Sequence, residues 1–98
     1  MNFLEFALNH QRAGTAVQVT MQGVESDVFL VDDLNLAAFK RRAQFTYFGG
    51  HYKRSPVLLG LPKDGNWTVV VIPTGGTVSV KVRTVAPRRR PLAPGALS

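Results

Sequence analysis

His10 and His51 are the only imidazoles in the chain, and there is no cysteine. The lack of cysteine removes a thiolate nucleophile, a thiolate zinc site and a disulfide framework together. The two histidines share no ligand spacing, so they do not specify a metal site. A Ser-His-Asp set can be drawn from Ser55, His51 and Asp64, but such a set is defined by geometry, and no G-x-S-x-G elbow surrounds Ser55. There is no P-loop, and neither Gly49-Gly50 nor Gly75-Gly76 opens a strand–glycine–helix dinucleotide unit. Asp32-Asp33 could donate to a metal, but the pair fits a helix N-cap more simply. The expectation is a chain with no catalytic residues, no metal and no cofactor, and not an enzyme.

The segment FTYFGGHYKRSP, Phe45 to Pro56, is richer. In a binding reading, Tyr47, Phe48, Tyr52 and Trp67 stack on a ligand while Lys53 and Arg54 meet an anion. In a structural reading, Phe45 and Tyr47 alternate with Thr46 and Phe48 on a strand. Gly49-Gly50 then forms a bulge or turn, and Ser55-Pro56 leads into an edge strand. Aromatic rings are enriched in cores as well as in sites, and we favour the structural reading.

The elements that must position these residues are strands. AVQVTMQ (Ala16 to Gln22) and TVSVKVRT (Thr77 to Thr84) alternate apolar and polar, with one face for a core and one for water. Leu4, Phe6 and Leu8 share a face opposite Glu5. DVFLV and PVLLGL are shorter apolar runs. WTVVVI, Trp67 to Ile72, is apolar on both faces and reads as a central strand covered on both sides. PKDGN and PTGGT punctuate this half, with Gly65, Gly75 and Gly76 as turn residues, so PVLLGL, WTVVVI and TVSVKVRT read as a three-stranded antiparallel meander. One segment breaks the period: DDLNLAAFKRR predicts a short helix near residues 33–41, with Leu34, Ala37 and Ala38 inward. Lys40, Arg41 and Arg42 fall at its C-terminal end, the favourable sense for the helix dipole. The fold class is therefore all-β, a small antiparallel β-sandwich or distorted barrel with one short helix.

Ninety-eight residues make one domain, with a core in residues 1–85 and a Pro/Arg-rich tail over 86–98. The net charge of +6 is unevenly spread: one cation faces five acids over residues 1–39, and eleven cations face one acid over residues 40–98. Arg88, Arg89 and Arg90 supply three of those cations. They offer an alternative reading as a nucleic-acid contact through phosphates, against a plainer one as a solubilising tail. The N-terminus lacks the early cation of a signal peptide, and the longest aliphatic run, VVVI, is far short of the roughly 20 residues a membrane helix needs. The expectation is a soluble, cytoplasmic protein without a membrane partner. Its sheet edges leave a homodimer open.

The ordered motifs from Asn35 to Val82 resemble a small bacterial family, domain of unknown function 1883. The matching positions are Asn35, Phe39, Lys40, Arg41, Gly49, Gly50, Ser55, Pro56, Val57, Pro62, Gly65, Trp67, Gly75 and Gly76. The likeness extends more weakly over residues 1–85. It implies an all-β fold with no established activity. Some members resemble fusions to a Toll/interleukin-receptor domain, in which the β domain would be an accessory or sensing module. No NAD-cleaving activity carries over to these residues. At Pro73 the family pattern often carries an acid, so no carboxylate site is transferred there. Together these features point to a non-catalytic binding or accessory module for an unknown protein or small ligand, in signalling or defence. The alternatives are a nucleic-acid binder using the basic C-terminal half and a carbohydrate-binding sandwich with two coplanar exposed rings.

Overall fold

The computed structural model of the chain describes residues 2–86. The tail from residue 87 onward, with Arg88, Arg89 and Arg90, lies outside the described residues. Seven strands and one helix follow in order: β1 (Leu4–Gln11), β2 (Ala16–Gly23), β3 (Ser26–Asp32), α1 (Asp33–Lys40), β4 (Phe48–Tyr52), β5 (Val57–Gly60), β6 (Gly65–Pro73) and β7 (Val78–Val85). They form two antiparallel sheets, ordered β1-β6-β3-β4 and β5-β2-β7. The all-β sandwich with one short helix is the observed fold.

Between the sheets lies an aliphatic core. Val17 and Val19 of β2 meet Val28 and Leu30 of β3 and Val69 and Val71 of β6, with Val57, Leu61 and Trp67 closing the layer. The period-two alternation places each of these side chains inward. β6 is the central strand its composition predicts. Val69 and Val71 face the other sheet, while Val70 and Ile72 face outward into a second apolar cluster.

The predicted meander is not formed. β5 and β7 both pair with β2, while β6 pairs with β1 and β3 in the opposite sheet. PKDGN and PTGGT are corners between sheets, not hairpin turns. A strand apolar on both faces needs a neighbour on each edge and cover on each side, and β1, β3 and the outer cluster provide these. The corners are tied in pairs. At one end the Gly14 N–H donates to Leu61 O, the Leu61 N–H to Thr15 O and the Ala13 N–H to the Asp64 carboxylate. At the other end the Val24 N–H donates to Thr77 O and the Thr74 N–H to Glu25 O.

Only one pair of consecutive strands, β3 and β4, shares a sheet, and its connection carries α1. Asp32 caps the helix: its Oδ1 accepts from the Asn35 N–H at 2.9 Å. The inward face differs from the expected one. Leu34 is 74% exposed and Ala37 is exposed, while Ala38 and Phe39 are buried and Leu36 is partly so. The helix turns its largest ring, Phe39, onto the sheet. There it meets Phe3, Phe29 and Phe45 with ring centroids 5.0–5.6 Å apart. Lys40 fastens the helix end to Glu5 of β1, Nζ to Oε1 3.0 Å.

Candidate functional site

The outer face of the four-stranded sheet alternates with the inner one, and its residues combine an apolar cluster with two polar side chains. On β3 these are Asp27, Phe29 and Val31; on β4, Gly49 and His51; on β6, Val70 and Ile72. α1 covers part of this face, and the returning segment brings Phe45 and Tyr47 down beside it. Phe29 stands 5.7 Å from Phe45 and 5.3 Å from Tyr47, centroid to centroid, and Phe45 and Tyr47 are 5.4 Å apart. The cover is incomplete. A cleft of about 390 Å³ remains, lined by Asp27, Phe29, Phe39, Phe45, Tyr47, Gly50, His51 and Ile72.

A polar relay sets the aromatic segment in place. Asp32 Oδ1 accepts from the side-chain amide of Asn35 as well as from its backbone, both at 2.9 Å. The Asn35 Oδ1 in turn accepts from the Thr46 N–H at 2.8 Å. Thr46 lies between Phe45 and Tyr47, so the helix cap and the position of both rings are one hydrogen-bonded unit. Gly49 lets this layer lie close to β3. It has φ +153°, and a Cβ there would stand 2.1 Å from Val28 O and 2.6 Å from the Phe29 Cα.

At the mouth of the cleft, His51 stands across from Asp27 in register. Its Nδ1 is 2.8 Å from Asp27 Oδ1 and its Nε2 is 3.1 Å from Glu25 Oε1. A ring between two carboxylates donates from both nitrogens only as imidazolium. Hydrogen bonds to Asp27 first and Glu25 second raise its pKa above 6.5. The ring sits between the carboxylates, so the three groups do not converge on one point. Among the described residues no group of three or more His, Asp or Glu side chains is placed to hold a metal ion.

The structure divides the six aromatic and basic candidates. Tyr47, 51% exposed, is the one that lines the cleft. Phe48 points to the opposite face of the sheet and packs edge-on against Trp67 at 6.0 Å. Tyr52 packs against the core between the sheets. Trp67 is 1% exposed and its indole N–H donates to Lys63 O at 3.1 Å, which corrects its assignment as a stacking platform: it is a core residue. Lys53 and Arg54 are exposed in the β4–β5 connection and do not line the cleft. The strand begins at Phe48, so Phe45 and Tyr47 precede it, and Gly49-Gly50 lies within β4 rather than at a turn. The imagined catalytic set is dispersed: Ser55 Oγ accepts from the Met21 N–H at 2.8 Å, Asp64 accepts from the Ala13 N–H, and His51 turns to Asp27 and Glu25.

Sequence reasoning missed Asp27, Phe29, Phe39, Ile72 and the pairing of His51. The available signal was the two-sided apolar character of β3 and β6. A second apolar face needs cover, and among the described residues the helix, the aromatic run and Phe3 supply it.

Among the described residues, no helix is long and apolar enough to cross a membrane. No curated protein and no solved structure matches the chain. A family model matches residues 1–88, a range that includes the motifs from Asn35 through Gly76, and the chain belongs to that family, a domain of unknown function (DUF1883).

Proposed function

We propose that this domain is a non-catalytic binding module that takes a small ligand in the aromatic cleft between α1, β3 and β4. The cleft itself carries the reading. About 390 Å³ of space walled by Phe29, Phe45, Tyr47 and Ile72, with the polar pair His51–Asp27 at its mouth, has the size and composition of a small-ligand site. A relay from Asp32 through Asn35 to Thr46 holds the rings, which is the pre-organisation a binding site needs. An accessory or sensing role beside signalling or defence proteins is the biological setting we favour for such a module. The carbohydrate alternative has less support, because the exposed rings Tyr47 and Phe48 lie on opposite faces of the sheet and make no common platform. The test is a thermal-shift screen of the 98-residue chain against small aryl fragments carrying one polar group. Fragments that bind the folded state raise Tm, and Tyr47→Ala should abolish the rise. Stabilisation equal in wild type and Tyr47→Ala would place binding elsewhere.

A further inference from the structure

The charges at the mouth of the cleft are unbalanced. Asp27 and Glu25 flank one imidazole, and among the described residues no lysine or arginine lines the space. Lys40, at the helix end, is engaged by Glu5 at 3.0 Å, and Lys63 reaches toward Asp32 at 3.8 Å. The walls include the rings of Phe29, Phe39, Phe45 and Tyr47, and the quadrupole of an aromatic ring attracts cations. Building on the binding reading above, we propose that the cleft selects a small organic cation, an alkyl- or aryl-ammonium whose apolar body lies among Phe29, Phe45 and Tyr47 and whose charged end meets Asp27. The volume suits one small ligand.

His51 then acts as the internal competitor of a ligand cation for Asp27. Its imidazolium satisfies the two carboxylates until a ligand cation competes for Asp27. The titratable groups lining the space are Asp27 from β3, His51 from β4 and the Tyr47 phenol from the preceding segment, and Glu25 from the turn before β3 reaches the far side of the His51 ring. β6 contributes Ile72 and α1 contributes Phe39, neither of them charged. Two carboxylates and one imidazolium leave one net negative charge, and loss of the His51 proton leaves two. Cation binding therefore tightens as pH rises, and by linkage it expels a proton.

The test is calorimetric titration with three probes of one shape, phenethylammonium, 2-phenylethanol and 3-phenylpropanoate, and with the peptide acetyl-Gly-Lys-Gly-amide as a fourth. We expect phenethylammonium to bind about tenfold more tightly than the alcohol, and the carboxylate to bind weakest. The ammonium should gain roughly threefold to tenfold between about pH 6 and pH 8.5, with proton release. Asp27→Asn should remove the preference for the cation. His51→Gln should keep the preference and flatten the pH dependence. Both side chains are partly exposed, so both variants should fold, and the unchanged circular dichroism of either one suffices as control. Equal binding of alcohol and ammonium would overturn cation selection and leave the cleft as a binding site. No heat from any probe at millimolar concentration would overturn both readings. Tighter binding of acetyl-Gly-Lys-Gly-amide than of phenethylammonium would overturn the small-ligand assignment in favour of a peptide side chain.

Discussion

The two faces of the four-stranded sheet come from the same strands and are built for different ends. The inner face carries Val28, Leu30, Val69 and Val71, each 0% exposed, sealed by a second sheet. The outer face carries Phe29, Val70 and Ile72 with Asp27 and His51, and an eight-residue helix covers only part of it. Small branched side chains fill a closed layer at uniform density, whereas large rings around a short helix leave a cleft. The inner face is a closed core, and the outer face, which buries Val31 and Val70 as well, also holds the features a ligand could use.

Leu30→Ala should separate the faces most strongly. It opens a cavity in the sealed layer and should cost about 3–5 kcal/mol by chemical denaturation, a large share of the ~5–15 kcal/mol available to a domain. Tyr47→Ala, on the half-exposed ring, should cost about 1 kcal/mol or less while removing ligand binding. Comparable losses at the two positions would break the distinction between the faces.

Next in size is a contrast within β4. Gly49→Ala drives a Cβ into the Val28 carbonyl at a φ that disfavours side chains, and should cost about 2–4 kcal/mol. Gly50→Ala meets nothing within 4 Å and should stay within about 1 kcal/mol. The outer layer depends on the close approach of Gly49 to β3, so Gly49→Ala should also weaken binding by disturbing Phe29.

The all-β class was legible because Val17, Val19 and Met21, and Val78, Val80 and Val82, report their faces through period two, and WTVVVI announces its burial by lacking a polar face. Strand pairing was less legible. PKDGN and PTGGT reverse the chain, but a reversal does not say whether the next strand joins the same sheet or crosses to the other. The site was half legible. FTYFGGHYKRSP was recognised as unusual, but local alternation cannot show that Phe45 and Tyr47 go to the outer face while Phe48 and Tyr52 go inward. Nor can it show that Asp27, 24 residues earlier, stands beside His51. Trp67 belonged to the stacking set only in the binding reading of the aromatic residues, and it is buried. Its place at the start of the most buried strand was the better guide.

The relay from cap to ring segment gives a smaller effect. Asp32→Ala and Asn35→Ala should each cost about 1 kcal/mol, and together less than the sum, since both belong to one hydrogen-bonded chain. Asn35→Ala should in addition reduce the ligand-induced rise in Tm, because it releases the Thr46 N–H that sets Phe45 and Tyr47. Purely additive costs with unaltered ligand response would show that the relay does not position the rings.

The smallest effect on stability comes from His51. Its folded-state pKa is raised, so its contribution is fully present below the unfolded value near 6.5 and is lost as pH rises through the folded value. The ring is solvent-exposed, so the change in stability should be slight, and proton NMR reads it better. The His51 ring should titrate above 6.5, and Asp27→Asn should bring the midpoint down. A midpoint that ignores Asp27→Asn would remove the pairing from the account of the cleft mouth.

The most direct measurement of the outer face as the binding face is a heteronuclear NMR titration of the full chain with phenethylammonium. We expect shifts concentrated at Asp27, Phe45, Tyr47, Gly50, His51 and Ile72, with the β5-β2-β7 sheet silent. Shifts centred on the exposed face of β2 and β7, with the cleft residues unmoved, would contradict it.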